Sequence, residues 1–408
     1  MKEALQRLDE SGHVAYVVGG SVRDFLLKKE SKDHDIATDA SPDEICDLFP
    51  NSVTVGKAFG VIKVPLKNEP ARFLEIATFR EDVGYQDHRH PKKVRFAGAI
   101  EDARRRDFTI NAFFYDYKTS RVLDATGGYD DLKAGVIRAI GKASERFKED
   151  ALRLLRAIRF TAALGFELEA ETARSIELRA KLIMRVSPER IRDELTMMWA
   201  GPRPAEALTL LSEHDLLHHV LPEVEALKTK KLWQHTLKVL RFLQKQNPRR
   251  SPALAWAAVL HRVEGERKAA EIAERLKMSR HEVSQIEKMV EEQKKFREAF
   301  SMREATLQRF IRQPHFEDLL SLHRADAMAL DGNLAYYEFC RSRWEELRKS
   351  RASEPLTGLL TGKDLIQLGL QPGPEFSRIL KTVEDLCLER KFHDKEEALE
   401  YVVKYFVK

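Results

Sequence analysis

A chain of 408 residues, 43% of them hydrophobic, is long enough for two to four domains with cores of their own and too apolar to be disordered. Its 70 Lys and Arg against 65 Asp and Glu leave a net charge of only +5, so the overall pull on nucleic acid is mild and any RNA-binding surface has to be local. Cys46, Cys340 and Cys387 fit neither a disulfide framework nor a zinc spacing and imply reduced thiols in a cytoplasm; no apolar run approaches the ~20 residues of a membrane span, and Met1-Lys2-Glu3 begins an amphipathic helix without a signal-peptide core.

In chain order, the first expected strand covers residues 14–18 and runs into Gly19-Gly20-Ser21-Val22-Arg23-Asp24, which opens a helix. Such a turn offers bare backbone N–H groups to a phosphate. Asp33-His34-Asp35-Ile36-Ala37-Thr38 follows as the next strand. Side chains alternate along a strand, so Asp33 and Asp35 point the same way about 7 Å apart and can share divalent cations. Taken singly, Gly-Gly is a tight turn and an acidic pair is a solvated cap; in this order they describe a nucleotidyl-transfer site. Ser41, Pro42 and Glu44 spell an N-cap, a first-turn proline and a capping box.

Further strands are expected over 53–55, 61–66 and 73–79, giving a small α/β head with a mixed sheet. Glu75, an acid in an apolar strand, is either a third carboxylate near the metals or a partner of Arg80 or Arg106. Residues 84–93 read as an exposed connection bounded by Gly84 and Pro91. From about residue 141 onward the pattern is helical, without strands, so an all-α region follows the head.

Within it, Asp150 and Arg153 stand three apart on an expected helix and so share one face, an acceptor beside a fork of donors. Cytosine and adenine each present a donating amine next to an accepting ring nitrogen, which this pair can read; uracil and guanine present the reverse. A mispaired buried edge costs about 1–3 kcal/mol per group, so the pair admits CTP and ATP. Arg156 and Arg159 continue that face for another turn, by themselves a solvated basic stripe beside the apolar face of Leu152, Leu155 and Ile158.

Val18-Gly19-Gly20-Ser21-Val22-Arg23-Asp24 with Asp33-x-Asp35-Ile36-Ala37-Thr38 resembles the head motif of the class II tRNA nucleotidyltransferases and bacterial poly(A) polymerases, within the DNA polymerase beta superfamily. Four further blocks resemble the family's later motifs in order. They are Arg105-Arg106-Asp107-Phe108-Thr109-Ile110-Asn111-Ala112, Gly135-Val136-Ile137-Arg138-Ala139-Ile140-Gly141, Glu149-Asp150-Ala151-Leu152-Arg153-Leu154-Leu155-Arg156-Ala157-Ile158-Arg159-Phe160, and Ser187-Pro188-Glu189-Arg190-Ile191-x-x-Glu194-Leu195. The resemblance implies a nucleotidyltransferase head over 1–140, a base-reading neck over 141–200, a helical body over 201–300 and a tRNA-binding tail over 301–408. It also implies that Asp33 and Asp35 bind Mg²⁺ and are catalytic, and that Gly20 and Arg23 hold the triphosphate. Arg106 and Asp107 would position the nucleotide, Asp150 and Arg153 read its base, and Arg156 and Arg159 contact nucleotide and phosphates.

The implied activity is template-independent addition of CCA to the 3′ end of tRNA from CTP and ATP, with A-only or CC-only addition or poly(A) synthesis as alternatives. In the family the 84–93 segment is the flexible loop that switches the pocket from CTP to ATP; its full length, the Glu-Asp start of the fourth motif, and Gly56-Lys57-Ala58-Phe59-Gly60 without a second basic residue all lean toward complete CCA addition. Lys28-Lys29-Glu30-Ser31-Lys32 lacks the family's Gly-Arg after the first helix. His235, His261 and Arg262 resemble the remains of an HD phosphohydrolase site in which arginine replaces a ligating aspartate, which makes the two histidines ordinary helix residues. Lys228, Lys230, Lys231, Lys245, Arg249 and Arg250 are the candidate local basic surface. In the tail, Gly362 and Gly369 are expected to end short helices and Pro374 to open another, in a segment that either docks the tRNA elbow or closes the helical body.

Overall fold

The strands are β1 (Ala15–Val18), β2 (Asp35–Thr38), β3 (Val61–Leu66), β4 (Glu69–Thr78), β5 (Arg80–Tyr85), β6 (Pro91–Phe96), β7 (Phe113–Asp116) and β8 (Arg121–Asp124), with β1, β3 and β7 the richest in β-branched and aromatic residues. The computed structural model describes residues 1–31, 35–54, 60–66, 69–85, 91–230, 232–265, 267–350, 359–389, 391–392 and 394–407. Asp33, the 56–59 part of the Gly-Lys-Ala-Phe element, the 86–90 centre of the expected loop, and Lys231 lie outside them. Six strands form one sheet in the order β3-β4-β2-β1-β7-β8. β2 and β4 pair in parallel and the other neighbours antiparallel, which makes the sheet mixed.

Some details differ from the sequence reading. In the 53–55 segment, Val53 makes only a single bridge to Lys63. Part of the 84–93 connection is strand: β5 and β6 form a hairpin paired from Arg80↔Phe96 to Tyr85↔Pro91. β7 and β8 close the far edge of the sheet and were not anticipated.

Helices α1 (Lys2–Glu10), α2 (Gly20–Leu26), α3 (Pro42–Leu48), α4 (Ala99–Arg104) and α5 (Gly128–Ala134) complete the head. α3 starts as its sequence dictates: Ser41 Oγ accepts from Glu44 N, and the Glu44 carboxylate accepts from Ser41 N at 2.7 Å. Val18, Ala37, Phe79, Ala103, Ala112, Phe114 and Ile140 form a buried cluster that ties β1, β2 and β7 to α4.

The chain divides into two units, one of Met1–Ala226 with Arg275–Lys277, the other of Leu227–Glu274 with Met278–Lys408. The first unit continues past the head through α6 (Ala143–Glu149), α7 (Leu152–Leu164), α8 (Ala170–Arg179), α9 (Pro188–Ala200) and α10 (Pro204–Glu213). α7 packs its Leu154, Leu155 and Ile158 side against α9 and α10 and ends at Gly165, which takes the left-handed conformation. The region is not wholly helical, since β9 (Val136–Ile137) pairs in parallel with β10 (Glu167–Leu168).

The second unit is helical among the described residues. The helix Pro252–Leu260 is apolar all round and buried from Leu254 to Leu260, with the helices Leu232–Gln246 and Phe316–Leu330 packed on it. Farther on, Gly362–Gln367, Pro374–Leu388 and Lys395–Phe406 enclose a core of Leu365, Ile379, Val383 and Val402. Gly362 begins a helix here and does not end one: Thr361 is the N-cap and Asp364 completes a capping box. Gly369 (φ 83°) follows that helix, and Pro374 opens the next, as its sequence implies. Arg250, expected on a basic surface, is buried, and burial lowers its pKa. No helix of the described residues is long and apolar enough to cross a membrane.

Candidate active site

At the end of β1 the chain turns through Gly19, φ 75°, directly into α2. A Cβ on Gly19 would stand 3.2 Å from Nη1 of Arg106, so both the backbone angle and the close approach of a guanidinium require glycine. The first turn of α2 leaves the N–H groups of Gly20 and Ser21 without intrahelical acceptors. Beside them, Asp35 begins β2, in register with Val18 on one neighbour and Glu75 on the other. Glu75 pairs with neither Arg80 nor Arg106; its carboxylate lies 2.9 Å from Lys63 Nζ across the β3–β4 ladder, and that bond raises the lysine's pKa.

These backbone positions open onto a cavity of about 530 Å³. Gly19, Gly20, Arg23 and Asp35 line one part of it, Arg105, Arg106, Asp107 and Asn111 another, and Asp150, Arg153, Arg156, Arg159 and Phe160 the rest. Every described residue assigned to the site from sequence therefore faces one space.

Each arginine is held from behind by an acid or a carbonyl, so its fork is set before a ligand arrives. Arg106 bonds Asp102 at 2.9 Å and lies over the Phe114 ring. Asp102 is buried; burial pushes its carboxyl up, but Arg105 and Arg106 outweigh that and hold it below its ordinary value. Arg23 donates to Asn111 Oδ1 at 2.7 Å and to Asp24, and stacks over Phe160. Asn111 Nδ2 donates in turn to Asp107 Oδ1 at 3.1 Å, and Asp107 Oδ2 accepts from Arg156 Nε at 2.7 Å. Burial pushes the Asp107 carboxyl up, yet Arg156, the Asn111 amide and Arg153 pull it down to about 2. Arg156 reaches on to Glu194 at 3.5 Å, and Arg159 Nε donates to the same carboxylate at 2.6 Å. Burial lowers the Arg156 pKa, but Asp107 and Glu194 raise it further; for Arg159 burial prevails over Glu194, and its pKa falls. All three guanidiniums, of Arg23, Arg156 and Arg159, pack over the one Phe160 ring.

The base-reading pair departs from the sequence expectation. Asp150 is not on the helix with Arg153: it has extended backbone angles between α6 and α7, and its Oδ1 accepts from Leu152 N at 3.1 Å. A short polar side chain that bonds the backbone two residues on stops one helix and starts the next. Arg153, one residue inside α7, donates from Nη1 to Glu149 and to the Arg146 carbonyl, and from Nη2 to the Arg105 carbonyl at 2.9 Å. Three of its five donors are thereby used. The pair still lines one cavity, with its acceptor and donors presented from a helix start.

Several residues that shape the site carry no role in the sequence reading. Asn111 and Phe160 lie inside quoted motif blocks, and Arg190 and Glu194 inside the fifth. Arg190 binds both oxygens of Asp150 at 3.1 and 2.8 Å. The signal available was the imbalance of α7: three arginines on a partly buried face require buried counter-charge.

Fold and cavity together are those of a nucleotidyltransferase. Residues 15–138 match the family described as the Poly A polymerase head domain, residues 165–228 the RNA and SrmB-binding site of polymerase A, and residues 249–403 the tRNA nucleotidyltransferase domain 2. A CCA-adding enzyme of Lactococcus lactis subsp. cremoris (strain SK11) is 34% identical over 406 residues, covering 97% of this chain and 93% of the relative, and one from Geobacillus thermodenitrificans is 43% identical over 213 residues. The crystal structure of the Bacillus stearothermophilus CCA-adding enzyme in complex with CTP superposes with a TM-score of 0.77 at 27% identity, covering 98% of this chain and 95% of that one. The chain belongs to the family of CCA-adding enzymes.

Proposed function

We propose that this protein adds C, C and A to the 3′ end of tRNA without a nucleic-acid template, taking nucleotides from CTP and ATP and releasing pyrophosphate. The observation that carries the reading is the convergence, on one cavity, of Gly19, Gly20 and Asp35 from the sheet with Asp150 and Arg153 from the helical neck. A phosphate-cradling turn and a base-reading pair serve one nucleotide only if they share a space.

In this reading Arg23, with the N–H groups opening α2, grips the triphosphate, and the bidentate geometry of guanidinium suits phosphate oxygens. Arg106 and Asp107 set the nucleotide's position, while Arg156 and Arg159 add positive charge over Phe160. Asp150 accepts the exocyclic amine of cytosine or adenine, and Arg153 donates to the adjacent ring nitrogen.

Asp33 and Asp35 would hold Mg²⁺. The fit is supported by the hard oxygen donor of Asp35 at the cavity wall. An ion held by these residues would supply a lowered pKa for the primer hydroxyl and screening of the triphosphate charge. Residues 1–140 act as the catalytic head, 141–200 as the base-reading neck, 201–300 as the helical body and 301–408 as the tail that binds tRNA. The reaction takes place in the cytoplasm, which accords with the free thiols of Cys46, Cys340 and Cys387.

Transcripts of tRNA ending before CCA, after CC, or fully mature, given CTP, ATP or both, separate the possibilities on a sizing gel. Three nucleotides followed by arrest is the expected outcome; long A tails, or only one of the steps, overturns it. Asp35→Ala and Asp33→Ala should each abolish incorporation with tRNA binding retained, and substantial residual incorporation contradicts the metal assignment.

A further inference from the structure

The second unit holds a polar cluster that nucleotidyl transfer does not use. His235 on the helix Leu232–Gln246, His261 just after Pro252–Leu260, and Asp326 on Phe316–Leu330 each offer a ligand atom, and these atoms all lie within 4.8 Å of one another. Sequence reading made the two histidines ordinary helix residues, whereas the fold brings them to one carboxylate.

The protonation pattern of the cluster follows from its hydrogen bonds. The His261 side chain is 1% exposed, and its Nδ1 lies 2.8 Å from the Ala258 carbonyl oxygen, so Nδ1 carries the hydrogen and donates it. Nε2 is then a bare lone pair. It lies 3.3 Å from Asp326 Oδ1, and no donor reaches it among the described residues. Two acceptors facing each other out of water repel unless a cation sits among them. A ring nitrogen fixed by a carbonyl behind it and aimed at a carboxylate is the usual arrangement of a metal-ligating histidine.

The cation that is present belongs to the protein. Nη2 of Arg262 lies 2.5 Å from Asp326 Oδ1 and 3.2 Å from His235 Nε2, which itself lies 2.7 Å from the same oxygen. A guanidinium is charged at every accessible pH and accepts nothing, so it can occupy the place of a metal ion but cannot bind one.

We infer that Arg262 is a built-in cation in a His-His-Asp transition-metal site: the guanidinium joins the three helices without a metal, and its removal opens a site for an ion of the Zn²⁺ or Co²⁺ kind. Two imidazoles and one carboxylate suit those ions and not Mg²⁺ or Ca²⁺, which require mostly oxygen. Guanidinium and metal exclude each other, because both need Asp326 Oδ1 and their charges repel.

The test uses full-length metal-free protein as wild type, Arg262→Ala, Arg262→Met and Arg262→Ala/His261→Ala, each titrated with Co²⁺. Bound metal after desalting, the visible cobalt absorption and the melting temperature are read for each. Wild type should keep no cobalt with a nitrogen-ligated spectrum, and any shift in its melting temperature should be matched by the double variant. Arg262→Ala and Arg262→Met should melt lower than wild type, retain one ion per chain with a nitrogen-ligated spectrum, and recover melting temperature on cobalt addition; the double variant should do neither. Retention by wild type of an ion with a nitrogen-ligated spectrum overturns the inference, because the guanidinium would not then be the resident cation. Failure of both single variants to bind cobalt, folded or not, also overturns it, since a proton shared between His261 and Asp326 would then account for the cluster.

Discussion

Arg190 binds the Asp150 carboxylate with a complete fork, Nη1 to Oδ1 at 3.1 Å and Nη2 to Oδ2 at 2.8 Å. Oδ1 also accepts from Leu152 N at 3.1 Å, so of the carboxylate's four lone-pair sites the one on Oδ2 is left for an incoming amine. Arg190 therefore sets the plane of Asp150 and the single direction in which it can accept. Arg190→Ala should lower kcat/KM for both CTP and ATP by about 10–100-fold, the worth of a hydrogen bond to a charged group at about 1.5–3 kcal/mol, and should raise the share of UTP incorporated. Single-turnover incorporation of each nucleotide checks this. A merely structural role for Arg190 would slow all nucleotides alike and leave the share of UTP unchanged.

Glu194 carries the charge of two arginines at once. Its side chain is 4% exposed and lies against Arg156 and Arg159. Glu194→Gln strands buried guanidinium charge and should cost about 3–5 kcal/mol of unfolding free energy. Removing Arg159 as well should recover part of that loss, because the double variant no longer holds the stranded cation. Denaturant melts of Glu194→Gln, Arg159→Gln and the pair give the coupling; additive losses would mean that the ion pair has no special worth.

What the sequence discloses and what it withholds divide along one physical line. Gly19-Gly20, the Ser41 capping box and the apolar face of α7 are legible because each is fixed by residues within one or two turns of each other. The bonds that complete the site are not local: Arg23 to Asn111 spans 88 residues, Arg156 to Asp107 spans 49, and His235 to Asp326 spans 91. Helical periodicity alone could not foresee that Asp150 would bond Leu152 N and leave the helix. Glu75 was ambiguous for a related reason, since its partner Lys63 is set by the register of β3 on β4 and not by neighbours in sequence.

Gly19 separates phosphate binding from base reading. Gly19→Ala forces a side chain into positive φ and places its Cβ 3.2 Å from Arg106 Nη1. The strain should cost about 1–3 kcal/mol and displace Arg106 from the turn. KM should rise for CTP and ATP together, with the UTP share unaltered, the reverse of the Arg190 outcome. Steady-state kinetics with each nucleotide decide it, and a changed base preference would place Gly19 in the wrong half of the site.

Asp107 makes the stability of the first unit dependent on acid. Its carboxyl is held at about 2 in the folded protein, against 3.8 for an ordinary aspartate. A depressed folded pKa stabilises the fold above the unfolded value and loses that contribution as pH falls through the folded one. The contribution should be complete above about pH 5, worth about 2 kcal/mol, and should fade between pH 4 and about pH 2. Asp107→Asn, which keeps the shape but not the charge, should be less stable than wild type at neutral pH by at least this amount, because Arg156 loses its nearest counter-ion. Urea melts of the two proteins at several pH values between 7 and 2.5 measure the gap, which should narrow steadily below pH 4. A gap of constant size down to pH 2.5 would show that the Asp107 carboxylate is not what the acid removes.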